Sequence, residues 1–318
     1  MLKLNIFKIV TLIMIVLLVF FLALCSTALC STSIELKWYQ PEPEGHPWTD
    51  IGKEIIDEIS KRSDGRIKII QYPAGSLGTQ REAVDMLRSG SLALLTSGPG
   101  LFASFYDPIQ VFSFPYLFND PEHGYKVFDS PLGQKIFNDI ILNASGVRTI
   151  EMWYFGSMDL TTKNIEVKTP NDLKGIKIRA ADSLPQMLLI GSLGASPIPV
   201  EFIELYMALQ TGVVEGQVNP IGTIYAQKFY EVQKYLILLN CSYHMGTVHV
   251  SEMIWQKLDK ADQDLIKDVF REYRPKITEK IISNENEKLE MMKNYGIKVI
   301  EPDLGAFKEF AINYGKNN

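Results

Sequence analysis

Arg179 closes an alternating run, Ile176-Lys177-Ile178-Arg179, which reads as a short strand with one buried face. The turn Asp172-Leu173-Lys174-Gly175 precedes it, glycine supplying the freedom for a tight bend. Beyond it, Ala180-Ala181-Asp182-Ser183 leads into a helical segment. Asp182 and Ser183 are good N-cap residues there, and Pro185 suits a first helical turn. The arginine is therefore predicted where a strand ends and a helix begins, the edge of an open α/β sheet on which ligands lie. A guanidinium in that place offers a rigid fork that matches a carboxylate bidentately. A surface salt bridge is the competing reading of the same residue.

Other reactive constellations are missing from the sequence. It has no Gly-rich phosphate loop, no HExxH and no GxSxG. Of its histidines, His46, His123, His244 and His249, only His244 stands at C-x-x-H spacing, from Cys241, and no second ligand pair accompanies it. No metal and no cofactor are therefore expected. The carboxylates spread over helical faces, and no nucleophile is accompanied by its base. The chemistry points to capture rather than turnover, so no enzyme is expected.

The elements that must position these residues fit a chain of 318 residues, enough for about two domains. A net charge of −5 gives no basic footprint for nucleic acid. Lys3 and Lys8 precede an apolar run and then small residues around Cys25 and Cys30, which reads as an export signal over residues 1–30. Cleavage after Cys30 or Cys25, an uncleaved membrane anchor and a lipid-anchored cysteine all remain open. A cut after Cys30 leaves Cys241 alone, with no intrachain disulfide available.

From residue 34 onward, strand, helix and strand alternate as βαβ units of a parallel sheet: strands over 34–38 and 66–72, with Ile51, Ile55, Ile56 and Ile59 on one helix face between them. A helix over 79–88 and an apolar run over 92–95 follow, then the loop 96–100, placed like a ligand loop. Residues 112–118 read as a packed aromatic loop, 122–128 and 132–143 as helices, and 147–152 as a strand. The pattern resumes from 176 to about 240, with Val213-Val214 as strand and Gly216-Gln217-Val218-Asn219-Pro220 interrupting at a strand end. Residues 260–295 read as mostly one long helix, interrupted or kinked at Pro275 and on the order of 50 Å long, acting as a spine between two lobes joined by crossing strands.

Several of these segments resemble the substrate-binding proteins of tripartite ATP-independent periplasmic (TRAP) transporters. The run 172–179 is similar to that family's signature. Gly194-Ala195-Ser196-Pro197-Ile198-Pro199 resembles its G-A-x-P-x-P turn, residues 204–212 its E-x-Y-x-A-L-Q-x-G helix, and residues 216–220 its G-Q-x-N-P loop. Residues 226–235 follow the family text closely, and Leu77-Gly78, His46-Pro47 and Phe114-Pro115-Tyr116 fall in matching places.

The resemblance implies an α/β, two-lobed fold of periplasmic-binding-protein type, each lobe a mixed, mostly parallel sheet flanked by helices, with a long helix bridging the lobes. It places lobe 1 mainly over 31–155 with later segments returning to it, lobe 2 mainly over 156–250, and the bridging helix and C-terminal segment over 251–318. It implies an exported, monomeric, extracytoplasmic receptor for a small organic acid, partnered by the small and large TRAP membrane subunits. A ligand-sensing module for a membrane sensor is the alternative.

Carried over residue by residue, the family's ligand arginine is Arg179, its loop asparagine Asn219 and its pocket aromatic Phe202. His46, Trp48, Ser97, Trp153, Tyr154 and Asp182 are weaker candidates, for each of which packing or exposure competes. Many relatives carry a second arginine in a G-x-R-x-x-T context, and here Met158 or Asp159 takes its place. The expectation is a monocarboxylate with a neutral or cationic far end, such as a hydroxy acid, a sugar acid or a zwitterion using Asp159. Lys163 would compensate only by turning inward.

Overall fold

A computed structural model describes residues 10, 11, 14 and 33–317. Apart from those first three positions, the expected signal lies outside the described residues. The chain divides into Met1–Ile34 and Glu35–Asn318, and the second unit carries the sheet and the helices that flank it. Among the described residues, no helix is long and apolar enough to cross a membrane.

Strand β1 (Ile34–Tyr39) alternates as its sequence predicts, sinking Leu36 and Trp38 while Glu35 and Lys37 stay outside. Helix α1 (Pro47–Arg62) starts on a His46 cap with Pro47 in the first turn, and it buries Ile51, Ile55 and Ile59. After β2 (Ile67–Tyr72), a Thr79–Glu82 capping box opens α2 (Gln80–Ser89), which leads to β3 (Leu94–Ser97). Helix α3 (Pro121–Asp129) and a helical stretch over 131–145 with a π turn at Lys135–Ile141 precede the longest strand, β4 (Val147–Thr162).

The chain continues through β5 (Lys177–Ala180), α4 (Leu184–Ser192), β6 (Ser196–Pro199), α5 (Leu205–Thr211), β7 (Gly216–Pro220) and α6 (Ile221–Ala226). It ends with β8 (Tyr235–Ile237), β9 (Tyr243–Ser251), α7 (Lys260–Glu272), α8 (Arg274–Tyr295), β10 (Lys298–Ile300) and α9 (Leu304–Asn317). The fold is α/β, a mixed sheet flanked by helices with one long helix among them.

The sheet runs β2-β1-β3-β9-β4-β7-β5-β6, with β8 on β4 and β10 on β8. Pairs β1–β3, β5–β6, β5–β7 and β8–β10 are parallel, whereas β3–β9, β4–β9, β4–β7 and β4–β8 are antiparallel. Strand β4 belongs to two halves of this sheet. Its first part pairs with β9, from Val147 opposite Ser251 to Ser157 opposite Tyr243, and its last part with β7, from Met158 opposite Pro220 to Thr162 opposite Gly216.

The register slips between Tyr154 and Gly156, just before the change of partner. Gly156 takes φ +134° there, and a Cβ would lie 2.5 Å from Pro220 Cβ and 2.6 Å from Glu285 Oε1. Only glycine fits the seam. Apolar packing fills both halves. Trp153 stacks on Phe270 at 5.4 Å with Trp38 beside them, while Leu160, Ile178, Leu189 and Phe307 close the core of the other half.

Three expectations are corrected. Residues 260–295 carry the interruption expected at Pro275, which has no N–H and whose ring would strike the carbonyl four residues back, and they form two helices rather than mostly one. The chain breaks at Tyr273, and the 22 residues of α8 span about 33 Å rather than 50 Å. Residues 216–220 are a fully buried strand, not an interruption, and Val213-Val214 lie in the bend before it. Strand β9 was not anticipated, nor was the continuation of β4 to Thr162.

Candidate functional site

Strand ends from both halves of the sheet meet at one cavity of about 1020 Å³, counting its mouth. Arg179 enters from β5, Val218 and Asn219 from β7, Ser97 and Gly98 from the end of β3, and Phe155 and Met158 from β4. The loop after β1 adds Glu42 and α1 adds Trp48, while Asp182, Glu201 and Phe202 come from the connections around β5 and β6. Parallel pairing of β5 with β6 and β7 brings their C-terminal ends, and the loops that follow, to one edge.

Arg179 is 8% exposed. Its Nε donates to Val200 O at 2.9 Å, and the guanidinium carbon lies 5.7 Å from the Phe202 ring centre. Burial draws its pKa down to about 10, with Glu201 opposing, so it is charged at neutral pH. Among the described residues no carboxylate pairs with it, which leaves its terminal nitrogens for the cavity. Asn219 is held by a bond from its Nδ2 to Gln217 Oε1, and Gln217 donates in turn to Thr161 Oγ1 at 3.0 Å. The Asn219 carbonyl is left as an acceptor. Phe202 packs edge-on against Phe229 at 6.4 Å. Asp182 stands at the mouth, where Arg81 from α2 donates to it at 3.1 Å, both side chains 61% exposed.

Arg179, Asn219, Phe202, Ser97, Asp182 and Trp48 thus line one cavity. His46, Trp153 and Asp159 do not. His46 spends its Nδ1 accepting from Trp48 N at 3.2 Å, and burial drives its pKa down to about 3. Trp153 is fully buried, its Nε1 donating to Phe270 O at 3.3 Å. Asp159 is 1% exposed and accepts from Asn240 N at 2.9 Å, with burial raising its pKa to about 7. Of the two residues in the place of the second family arginine, it is Met158 that lines the cavity. Lys163 is turned away, donating to Gln210 O at 3.0 Å. Tyr154 is buried in the core, its carbonyl accepting from Trp48 Nε1 at 2.9 Å.

Glu42 and His244 are among the cavity residues that the sequence reading did not nominate as ligand contacts. Glu42 lies in the Gln-Pro-Glu-Pro loop at the end of β1, where the strand-end rule that singled out Arg179 also applies. His244 lies on the unanticipated β9. Gly98 leaves room for it, since a Cβ there would sit 3.3 Å from His244 Nε2. Burial lowers the His244 pKa to about 4, so the ring is neutral and offers one donor and one acceptor. Cys241 is buried in the core with Sγ donating to Met158 O at 3.3 Å, and its thiol is held well above the usual range by burial. Among the described residues no group of three or more His, Cys, Asp or Glu could hold a metal ion.

The family model described as "Bacterial extracellular solute-binding protein, family 7" matches residues 40–317. The sialic acid-binding periplasmic protein SiaP of Vibrio cholerae is 34% identical over 257 residues, 81% of this chain and 79% of that protein. The 2,3-diketo-L-gulonate-binding periplasmic protein YiaO of Escherichia coli is 29% identical over 259 residues, 81% of this chain and 78% of that one. Among solved structures, a TRAP periplasmic solute binding protein from Ochrobacterium anthropi with bound L-fuconate superimposes with a TM-score of 0.85. It is 27% identical and covers 90% of this chain and 94% of that one.

Proposed function

Because this chain belongs to family 7 of the bacterial extracellular solute-binding proteins, the TRAP-transporter receptors, we propose that it captures a small monocarboxylic acid and delivers it to TRAP membrane subunits. The family consists of binding proteins rather than enzymes. The observation that carries the ligand class is Arg179, a buried cation in a cavity wall with no carboxylate of its own. A bidentate carboxylate would satisfy it, with charge-assisted bonds of about 1.5–3 kcal/mol each. Micromolar capture needs about −8 kcal/mol, so Phe202, Trp48 and Phe155 supply apolar contact beyond the head group.

A second carboxylate on the ligand is disfavoured. Asp182 and Glu201 already line the cavity, Arg81 is tied to Asp182, and Met158 occupies the place of a second arginine. A buried charge without a counter-ion costs several kcal/mol. The SiaP, YiaO and L-fuconate relatives carry acids of the favoured kind in their names. In this reading the two sheet halves are two lobes, residues 31–155 mainly in one and 156–250 mainly in the other, which close on the ligand about the β4 seam. Export by a cleaved N-terminal signal and a monomeric state belong to the same proposal.

Calorimetry on the purified mature chain tests it. L-fuconate, L-galactonate or N-acetylneuraminate is expected to bind in the micromolar range, with Arg179→Ala removing measurable affinity at unchanged thermal stability. Arg179→Lys is expected to keep only a small part of it, because a point charge cannot form the fork. Tight succinate or malate binding without any monoacid binding would overturn the ligand class.

A further inference from the structure

We propose that Glu42 reads the hydroxylated end of the ligand, hydrogen-bonding a ligand hydroxyl in the cavity where Arg179 holds the carboxylate; this rests on the reading of that cavity as a carboxylate site. Glu42 is 2% exposed and lines the cavity, yet its Oε2 has no hydrogen-bonding partner among the described residues. The backbone around it is fixed, its carbonyl accepting from Thr49 Oγ1 at 3.1 Å and from Ala74 N at 2.9 Å. A buried polar atom held in place without a partner is uncommon, and it costs stability unless something else completes it.

The cavity provides no cation for that role. Arg81 is engaged by Asp182, and Arg179 is held by Val200 and Phe202. Burial alone acts on the Glu42 proton, raising its pKa to about 8, so at neutral pH the carboxyl is protonated and can both donate and accept. A hydroxyl matches such a group in both senses. A second ligand carboxylate would bring a bare charge beside Glu201 and Asp182. The neutral ring of His244 adds a further donor and acceptor to the same cavity. The ligand class narrows from monocarboxylates to polyhydroxy monocarboxylates, and the far-end contact expected of Asp159 falls to Glu42.

The test uses L-galactonate and the hydroxyl-free hexanoate as probes on the mature chain. Glu42→Ala is expected to weaken L-galactonate at least about tenfold while leaving hexanoate unchanged, and Glu42→Gln, which keeps a donor and an acceptor, to recover most of the loss. On the unaltered protein, infrared difference spectra should show the protonated-carboxyl band of Glu42, identified by its absence in Glu42→Gln, shifting when L-galactonate binds. That second measurement stands even if the alanine variant fails to fold. Wild-type L-galactonate affinity in Glu42→Ala, or a band that does not move, would overturn the role of Glu42 while leaving the carboxylate site intact. Binding of hexanoate without L-galactonate, D-gluconate or D-erythronate would likewise overturn this inference alone, whereas failure of all four to bind the unaltered chain would overturn the carboxylate reading, and this one with it.

Discussion

Asp159 is buried away from the cavity. The N–H of Asn240 holds its Oδ1, and burial lifts its pKa from the ordinary 3.8 to about 7. Below pH of about 4 the folded and unfolded chains both hold the proton. As pH rises from about 4 to about 7 the unfolded chain releases it first, so stability falls by an amount on the order of 4 kcal/mol from this group. Thermal unfolding of Asp159→Asn across that range should therefore decline less steeply than the wild type, and parallel curves would exclude the effect.

At the same scale the site was partly legible. Arg179 and Asp182 stand at or just beyond a strand end that side-chain alternation and turn residues mark in the sequence, Ser97 follows an apolar run, and Asn219 was reached through the G-Q-x-N-P resemblance. His46 and Trp153 carry the right chemistry in nearby segments, but capping of α1 and the Phe270 stack claim them. No local pattern separates a polar or aromatic residue held by tertiary partners from one left for a ligand. Glu42 was within reach of the strand-end rule, but its missing partner is visible only when the chain is folded.

Elements are tied together by a partly buried ion cluster. Arg274, at the start of α8, contacts Glu151 on β4 and Asp129 at the end of α3, with its guanidinium carbon 4.9 Å from the Tyr125 ring centre. Burial holds the Glu151 pKa up despite this arginine, a sign of how little water reaches the carboxylate. Arg274→Ala leaves that group only the more distant Arg271, 3.9 Å away, and a loss of about 3 kcal/mol in urea-unfolding free energy is expected; a change within about 0.5 kcal/mol, the range of ordinary surface substitutions, would contradict it. Most of the helices and the strands β1, β2, β3 and β5 were legible because caps, Gly and Pro mark their ends, whereas the edge strand β6 was read as a turn. The second part of β4 and the strands β7 and β9 were not legible, since they are buried along almost their whole length and carry no alternation to read.

For the whole molecule, the seam at Gly156 matters most. One strand serves both sheet halves, and it changes partners next to Pro220 and to Glu285 of α8. In the proposed reading, closure of one half on the other bends β4 at that point, and the cavity is lined by residues drawn from both sides of it. The sequence foretold crossing strands and a long helix, but the position of the seam depends on a register slip that only pairing reveals.

Trp48 gives this arrangement an optical consequence. It lines the cavity while lying edge-on to Trp153 at 6.0 Å, with Trp38 a further 6.2 Å along. Gly246 lets it sit so close to β9, as a Cβ there would fall 1.8 Å from the indole. Three of the four tryptophans in the sequence therefore form one excitation-sharing group whose outermost ring lines the cavity. The protein carries its own fluorophore for occupancy. Emission should change on adding L-fuconate or L-galactonate, and the change should vanish in Trp48→Phe but persist in Trp255→Phe.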